Sequence, residues 1–338
     1  MTPRLSVVIP VRDGIDFVRR AIESAQAIPL SPLEIVVVDD GSRDGTLGLL
    51  EDMACADPRI AVVKRSSDHG VSAARNAGIA AAGSDLICFL DADDYLRPQA
   101  IADRVGHHEA HPDVVFSFSN YQSLLPGGVL EDRYDDHCPT FQKAVASQEG
   151  IATLGKSAFR LLYSENPVCT SGTIVRRATL MELGGFDRSL RQAEDWDMWI
   201  RLSRAGAVAY SPSAELVHMA RPGSLSSDVG DRTHHIAVVV RRHRMHALLK
   251  FPRTVLRSAS YIELARAELA RGSRRNGAAL AHYLAALALG PSRSLLREAV
   301  RAAAVVLGLR EGGVPTLTLR VAIARSERKT DPSSRAVS

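Results

Sequence analysis

Five nearly unbroken apolar runs crowd into the first 120 residues: LSVVIP (5–10), EIVVVDD (34–40), RIAVVK (59–64), DLICFLD (85–91) and DVVFSF (113–118). A strand with no polar alternation must be covered on both faces, so these runs require helices above and below one sheet. The intervening segments supply them. Ile15, Val18, Ala21, Ile22 and Ala25 share one helical face, as do Leu47, Leu50 and Met53, and then Val71, Ala74 and Ala77. This βαβαβ order predicts a parallel α/β sheet. In such sheets ligands bind beyond the carboxyl ends of the strands, which directs attention to residues 10–13, 39–41 and 91–94.

The later chain is organised differently. Residues 121–165 read as an insertion or acceptor loop, 167–175 as a strand, 176–183 as a helix stopped by Gly184 and Gly185, and 195–205 as a helix with Trp196, Trp199 and Ile200 on one face. Beyond Ser226 come three arginine-rich helical segments, 233–250, 256–272 and 274–310, and a disordered tail over 326–338. From residue 241 onward 19 Lys and Arg face 6 Asp and Glu, whereas the preceding residues carry 23 against 32. An acidic body suits cation-assisted chemistry, and a basic helical region suits an anionic surface such as a membrane leaflet. With only Phe251, Tyr261 and Tyr283 as aromatics in that region, stacking on nucleic acid is poorly served, and no nucleic-acid partner is expected.

The longest apolar stretch, 278–289, is interrupted by His282 and falls short of the roughly 18 residues that a membrane span needs. At the start of the chain the apolar run 5–10 meets Arg12 and Asp13 at once, which reads as a buried strand rather than a signal peptide. The expected location is therefore the cytoplasm, at the inner face of the membrane if the basic helices bind there. Cys55, Cys88, Cys138 and Cys169 lack the spacing of a disulfide framework or a zinc site.

Three strand ends carry chemistry. Asp91-Ala92-Asp93-Asp94 crowds three carboxylates after one buried strand, a repulsion that a divalent cation on the i and i+2 oxygens would relieve; a solvated acidic turn is the alternative. Asp39 and Asp40 precede a Gly-Ser-Arg-Asp-Gly-Thr turn, either a ligand loop or a capped helix start. After the first strand, Asp13 in Pro10-Val11-Arg12-Asp13-Gly14 serves as a ligand or as a helix cap.

Taken in order, SVVIPVRDG (6–14), EIVVVDDGSRDGT (34–46), HGVSAARNAG (69–78), ICFLDADD (87–94), TSGTIVRRATLMELGGFD (170–187), AEDWDMWIRL (193–202) and RPGSLS (221–226) resemble the family 2 glycosyltransferases. The resemblance spans about residues 5–228 and implies an inverting enzyme of the GT-A fold, an α/β fold with a mixed, mainly parallel sheet. The nucleotide-binding half would occupy 1–120, the acceptor half 121–228 and a basic helical region 229–325. Pro10, Val11, Asp13 and Asp40 would surround the base and ribose, and Arg75 would approach the donor diphosphate. Asp91, Ala92 and Asp93 would form the Asp-x-Asp turn, with Asp91, Asp93 and His218 holding Mg²⁺ or Mn²⁺. Asp195 would be the general base, with Glu194, Trp196 and Asp187 facing the acceptor. The sequence departs from the pattern in two places: Arg12 and Asp13 replace Tyr-Asn after the strand proline, and Arg221 replaces a histidine.

The resemblance thus implies metal-dependent transfer from a nucleotide sugar, UDP-linked, to a glycan or lipid-linked acceptor in cell-surface polysaccharide synthesis. A nucleotidyltransferase would need a glycine- and lysine-rich loop after the first strand, which RDGIDF lacks; a catalytically inactive sugar-nucleotide binder would not need Asp91, Asp93 and Asp195 together. Residues 150–157 also fit G-x-x-x-x-G-K-[ST], but the segment before them reads as helix, against a P-loop.

Overall fold

The computed structural model describes residues 4–66, 69–125, 127–131, 138–219, 229–290 and 293–307. It divides into two compact units, Met1–Ile262 and Glu263–Ser338. The expected boundary at 228 and the segment 221–226 lie outside the described residues.

Strands β1 (Leu5–Val11), β2 (Leu33–Asp39), β3 (Ile60–Lys64) and β4 (Leu86–Phe89) pair in parallel in the order β3-β2-β1-β4. Helices α1 (Val18–Gln26), α2 (Thr46–Ala56) and α3 (Val71–Ala81) make the crossovers. The runs are covered on both faces as expected. Along β1, Val7 and Ile9 pack with Val18, Ala21 and Ile22 of α1, while Val8 joins Ala74 and Ile79 of α3; along β2, Ile35 and Val37 take the first side and Val36 and Val38 the second. Helix α3 lies so close to the sheet that a Cβ at Gly78 would stand 2.3 Å from Val8 Cγ1.

The sheet then changes direction. After the short β5 (Tyr95–Leu96) and α4 (Pro98–Ala110) come β6 (Val114–Leu124), β7 (Leu130–Glu131), α5 (Pro139–Val145), β8 (Ala152–Thr153) and α6 (Ala158–Ser164). Strand β9 (Ile174–Arg176) runs antiparallel between β4 and β6, joining the two halves of the sheet. Next stand α7 (Arg177–Glu182), α8 (Glu194–Ala205) and β10 (Ala207–Met219), which lies parallel to β6. Glycines close α7 as expected: Gly185 N–H reaches Leu180 O at 2.9 Å, with Gly184 and Gly185 at φ +77° and +72°.

Some local expectations shift. The first helix begins at Val18 rather than near Ile15, because Asp13 turns the chain at φ +48° and Gly14 O accepts the N–H groups of Phe17 and Val18. Of 167–175 only the last two residues are strand, and residues 150–157 follow a helix, not the strand a P-loop requires.

In the first unit α9 (Val229–Lys250) and the start of α10 (Pro252–Gly272) pack Val239, Val240, Ala247 and Val255 against Phe159, Tyr163, Trp196 and Ile200. The second unit comprises the remainder of α10, α11 (Asn276–Leu289) and α12 (Arg293–Val306) around Ala267, Ala270, Ala279, Tyr283 and Ala299. The third helical segment is therefore two helices, parted near Gly290. No described helix is long and apolar enough to cross a membrane.

Candidate active site

At the carboxyl ends of β1 and β2 the loops are laced together by short polar side chains. Asp13 Oδ1 accepts the Arg43 N–H at 2.7 Å, Ser42 Oγ accepts the Asp13 N–H at 2.9 Å, and Thr46 Oγ1 accepts the Gly14 N–H at 2.8 Å. Asp13 itself is exposed, above buried Pro10 and Val11. Asp40 is buried and held on two sides, by the backbone N–H of Gly70 at 3.1 Å and by Arg65 Nε at 2.9 Å. The lacing ties the two loops together and keeps Asp13 and Asp40 beyond the carboxyl ends of β1 and β2.

The turn after β4 is fixed from below. Ser171 Oγ accepts the Asp91 N–H at 3.0 Å and donates to Asp94 Oδ2 at 2.5 Å, and Asp94 Oδ1 accepts the Met219 N–H at 2.9 Å. Burial, then the neighbouring charges of Asp91 and Asp93, push the Asp94 carboxyl well above the usual carboxylate range. Asp94 thus ties the turn to the end of β10, leaving the half-buried Asp91 and Asp93 with the accessible oxygens. Those hard oxygens at i and i+2 fit Mg²⁺ or Mn²⁺ as a donor pair. His218 is half-buried with its ring edge-on to Tyr121 at 5.9 Å, and among the described residues no three His, Cys, Asp or Glu side chains converge on a metal position.

The centre of the site is Arg75. Its guanidinium, on α3 and 3% exposed, donates to Asp91 Oδ1 at 2.8 Å and to Glu194 Oε1 at 2.7 Å, and lies 5.4 Å from the Phe186 ring centroid. One side chain therefore joins the turn after β4 to the start of α8. Arg75 is enclosed between acids rather than reaching outward. Burial opposes its charge, and Asp91 and Glu194 together more than offset that.

Helix α8 is entered through Ala193 at φ +59°, with no side-chain cap. Asp195 Oδ1 accepts the Trp196 N–H at 2.6 Å, and Asn166 Nδ2 lies 3.4 Å from Oδ2. Burial raises the proton affinity of Asp195, against the pull of Arg75, and burial followed by the charge of Asp195 raises that of Glu194. A half-buried carboxylate with raised proton affinity at a helix N-terminus has the properties of a general base.

Two expected acceptor residues stand elsewhere. Trp196 is buried, its indole N–H on Leu162 O, and Trp199 stacks on Phe116 at 4.8 Å; both belong to cores. Asp187 binds Arg242 at 2.8 Å and Ser189, lining with Asp197, Arg201 and Arg242 a surface cleft of about 460 Å³ that Asp91, Asp93 and Asp195 do not line. Arg221 lies outside the described residues. Sequence reasoning did not reach Arg65, Ser171, Asn166 or the structural role of Asp94. Ser171 sits in a segment that was noticed, but single polar residues such as Arg65 and Asn166 carry no local signal.

A mixed sheet of this order, with a diacidic turn at one strand end and an acidic pair at the start of the facing helix, defines the GT-A class of glycosyltransferases. Two S. aureus TarS structures share the fold: TarS 1-349 in complex with UDP-GlcNAc at a TM-score of 0.57 and 20% identity, covering 90% of this chain and 92% of that one, and TarS 1-349 alone at 0.55 and 19%, covering 90% and 91%. The model described as "Glycosyl transferase family 2" matches residues 6–182, and the chain belongs to that family. The match ends before Glu194 and Asp195. The pre-mycofactocin glycosyltransferase of Mycobacterium tuberculosis is 32% identical over 215 residues, 63% of this chain and 42% of that protein. The succinoglycan biosynthesis protein ExoO of Rhizobium meliloti is 30% identical over 235 residues, 66% of this chain and 63% of that one. The chain thus spans less than two thirds of either relative.

Proposed function

We propose that this chain transfers a sugar, with inversion, from a UDP-linked donor to a glycan or lipid-linked acceptor in the synthesis of a cell-surface polysaccharide, at the inner face of a membrane. The observation that carries the reading is the Arg75 bridge, because it ties a diacidic turn suited to a diphosphate-bound cation to Glu194, whose chain neighbour Asp195 is the carboxylate suited to proton abstraction. Family membership, a succinoglycan biosynthesis relative and the UDP-GlcNAc bound in TarS support the donor and product classes.

Pro10, Val11, Asp13 and Asp40 receive the base and ribose, and the backbone at Ala92 sets the spacing between Asp91 and Asp93. Asp91 and Asp93 would hold Mg²⁺ or Mn²⁺, which would supply charge neutralisation for the departing diphosphate; His218, which does not converge with them on a metal position, is not counted as a ligand. Asp195 accepts the proton of the acceptor hydroxyl as that oxygen bonds to the anomeric carbon, and the bond to the diphosphate oxygen breaks on the opposite face. One base and no nucleophilic carboxylate gives inversion. Arg75 is a positioning residue here, holding Glu194 and Asp91 at fixed distance, and Asp187 orients the acceptor from the neighbouring cleft.

The test is release of nucleoside diphosphate from a panel of nucleotide sugars, with Mn²⁺, with Mg²⁺ and with chelator. Release from a UDP-sugar that stops on chelation is expected. Binding without turnover across the panel identifies an inactive sugar-nucleotide binder, and pyrophosphate release from a nucleoside triphosphate and a sugar phosphate identifies a nucleotidyltransferase; either overturns the proposal.

A further inference from the structure

The second unit has a surface that its own core does not explain. Helix α11 contains no Asp, Glu, Lys or Arg, yet buries only Ala279, Tyr283 and Ala286 and leaves Ala278, Ala281, Leu284 and Ala288 exposed. On α12, Leu295 and Ala299 turn to the core while Leu296 and Val300 are 52% and 61% exposed, and Leu307, the residue after the helix, is 71% exposed. A spacing of four residues puts Leu296 and Val300 on one stripe of the helix, and Leu307 follows just past its end. Arg297 and Arg301 are exposed on its flank, and the one acid of α12, Glu298, is buried against Arg301 and Arg271. Between residues 276 and 307, every described exposed residue is Gly, Ala, Leu, Val or Arg.

We infer that α11 and α12 form an interfacial membrane-binding face, in which Leu284, Leu296, Val300 and Leu307 enter the headgroup boundary of an anionic leaflet and Arg297 and Arg301 meet its phosphates. Charge complementarity selects this occupant. A second copy of the same face would set arginines opposite arginines with no exposed acid among its described residues to answer them, whereas anionic headgroups over an acyl layer match an apolar stripe rimmed by arginine. Neither helix is apolar and long enough to span, so the contact lies in the interface plane. Each basic side chain near such a surface adds several-fold to binding at low salt.

The inference gives residues to the membrane placement proposed above and is independent of glycosyl transfer. Its test is co-sedimentation of the full chain with vesicles of phosphatidylcholine alone and of phosphatidylcholine mixed with phosphatidylglycerol, at low and high salt. Donor hydrolysis is assayed in the same samples, so failure of the transfer reading is seen separately. The parent should bind the mixed vesicles and lose most of this at high salt. Leu296→Glu with Val300→Glu should weaken binding about tenfold or more, since two half-exposed apolar side chains would no longer be buried. Arg297→Glu should weaken it several-fold on the mixed vesicles only, and Val300→Trp should strengthen it. Equal binding by parent and the double-Glu variant overturns the inference. So does light scattering that finds the parent dimeric and the double-Glu variant monomeric, with no vesicle binding by either, because the stripe would then be a face between copies.

Discussion

Arg75 has no route to water, so its charge must be answered by the carboxylates around it. Replacing one partner of a buried ion pair leaves the other charge stranded, which costs on the order of 3–5 kcal/mol. Arg75→Met should lower stability by about that amount in denaturant titration, and Arg75→Lys should not fully restore it, since an ammonium lacks the planar fork whose separate nitrogens reach Asp91 and Glu194. A loss below about 1 kcal/mol would show that the two acids do not depend on it. Asp195→Asn keeps shape and the first helical turn but takes no proton. Transfer should fall by roughly 10²–10⁴ while donor affinity by calorimetry stays within error; transfer near the parent rate would make Asp195 a helix cap. Because burial raises the proton affinity of Asp195 and Glu194, the ionised base disappears earlier on acidification than for a free aspartate. The kcat/KM profile should therefore carry an acid limb above the ordinary carboxylate range, falling as pH falls, and Asp195→Asn should lack it. Linkage runs the other way for stability: a carboxyl whose folded pKa is raised stabilises most below its unfolded value and loses that contribution as pH rises through the folded one.

Helix α8 is held by a residue outside the chemistry. Asp197, fully buried, accepts from Arg201 at 2.7 Å, Arg242 at 3.0 Å and His243 at 2.9 Å, and Arg201 also donates to the carbonyls of Leu183 and Gly185. Burial pushes its carboxyl up, but the His243 hydrogen bond and the charges of Arg201 and Arg242 outweigh this and hold it at about 2. Its contribution is full above the ordinary carboxylate range and is lost as pH falls toward that value, so Asp197→Asn should flatten the acid side of the stability curve measured by thermal melting. Gly185 makes a second tie. A Cβ there would lie 2.4 Å from Asn76 Oδ1, which accepts the Phe186 N–H at 2.8 Å, and the backbone sits at φ +72°. Gly185→Ala should cost about 1–3 kcal/mol and release α3 from the turn before α8. The sequence shows which elements exist where period and length are strong: β1, β2, α3 and α8 are legible because uninterrupted Val and Ile runs and i, i+3, i+4 patterns have few other solutions. It does not show the ties. Residues 121–165 mix short strands with helices of seven residues, too brief for either period to show, and Trp196 presents the same helical spacing whether it meets a sugar or, as here, Leu162 and Tyr163.

For the whole molecule, the division at Ile262 is what truncation should respect. A chain ended after Ile262 keeps Arg242 and His243 on Asp197 and the cover of Val239, Val240, Ala247 and Val255 over Trp196. It should fold and bind donor like the full chain, by calorimetry. A chain ended at Arg241 removes Arg242, His243, Ala247 and Val255 together and should unfold at markedly lower temperature, although charge counting alone places the start of the basic region there. The four acids of the site, Asp91, Asp93, Glu194 and Asp195, are legible as carboxylates at strand and helix ends; that a single arginine joins two of them is not, because residues 75, 91 and 194 meet only when the sheet is complete.

The placement of β9 has a consequence for synthesis on the ribosome. Strands β1 to β4 pair among themselves within the first 90 residues, but the outer edge of β4 waits for Ile174 to Arg176, and β6 waits for Ile174 and Val175 of the same strand. At about 5–20 residues per second, the 85 or so residues between Phe89 and Ile174 leave an open apolar edge for roughly 4–17 s on every nascent chain. During that interval the half-built sheet is a template for any neighbouring strand, and its yield in a cell is set by whatever shields that edge rather than by the stability of the finished fold.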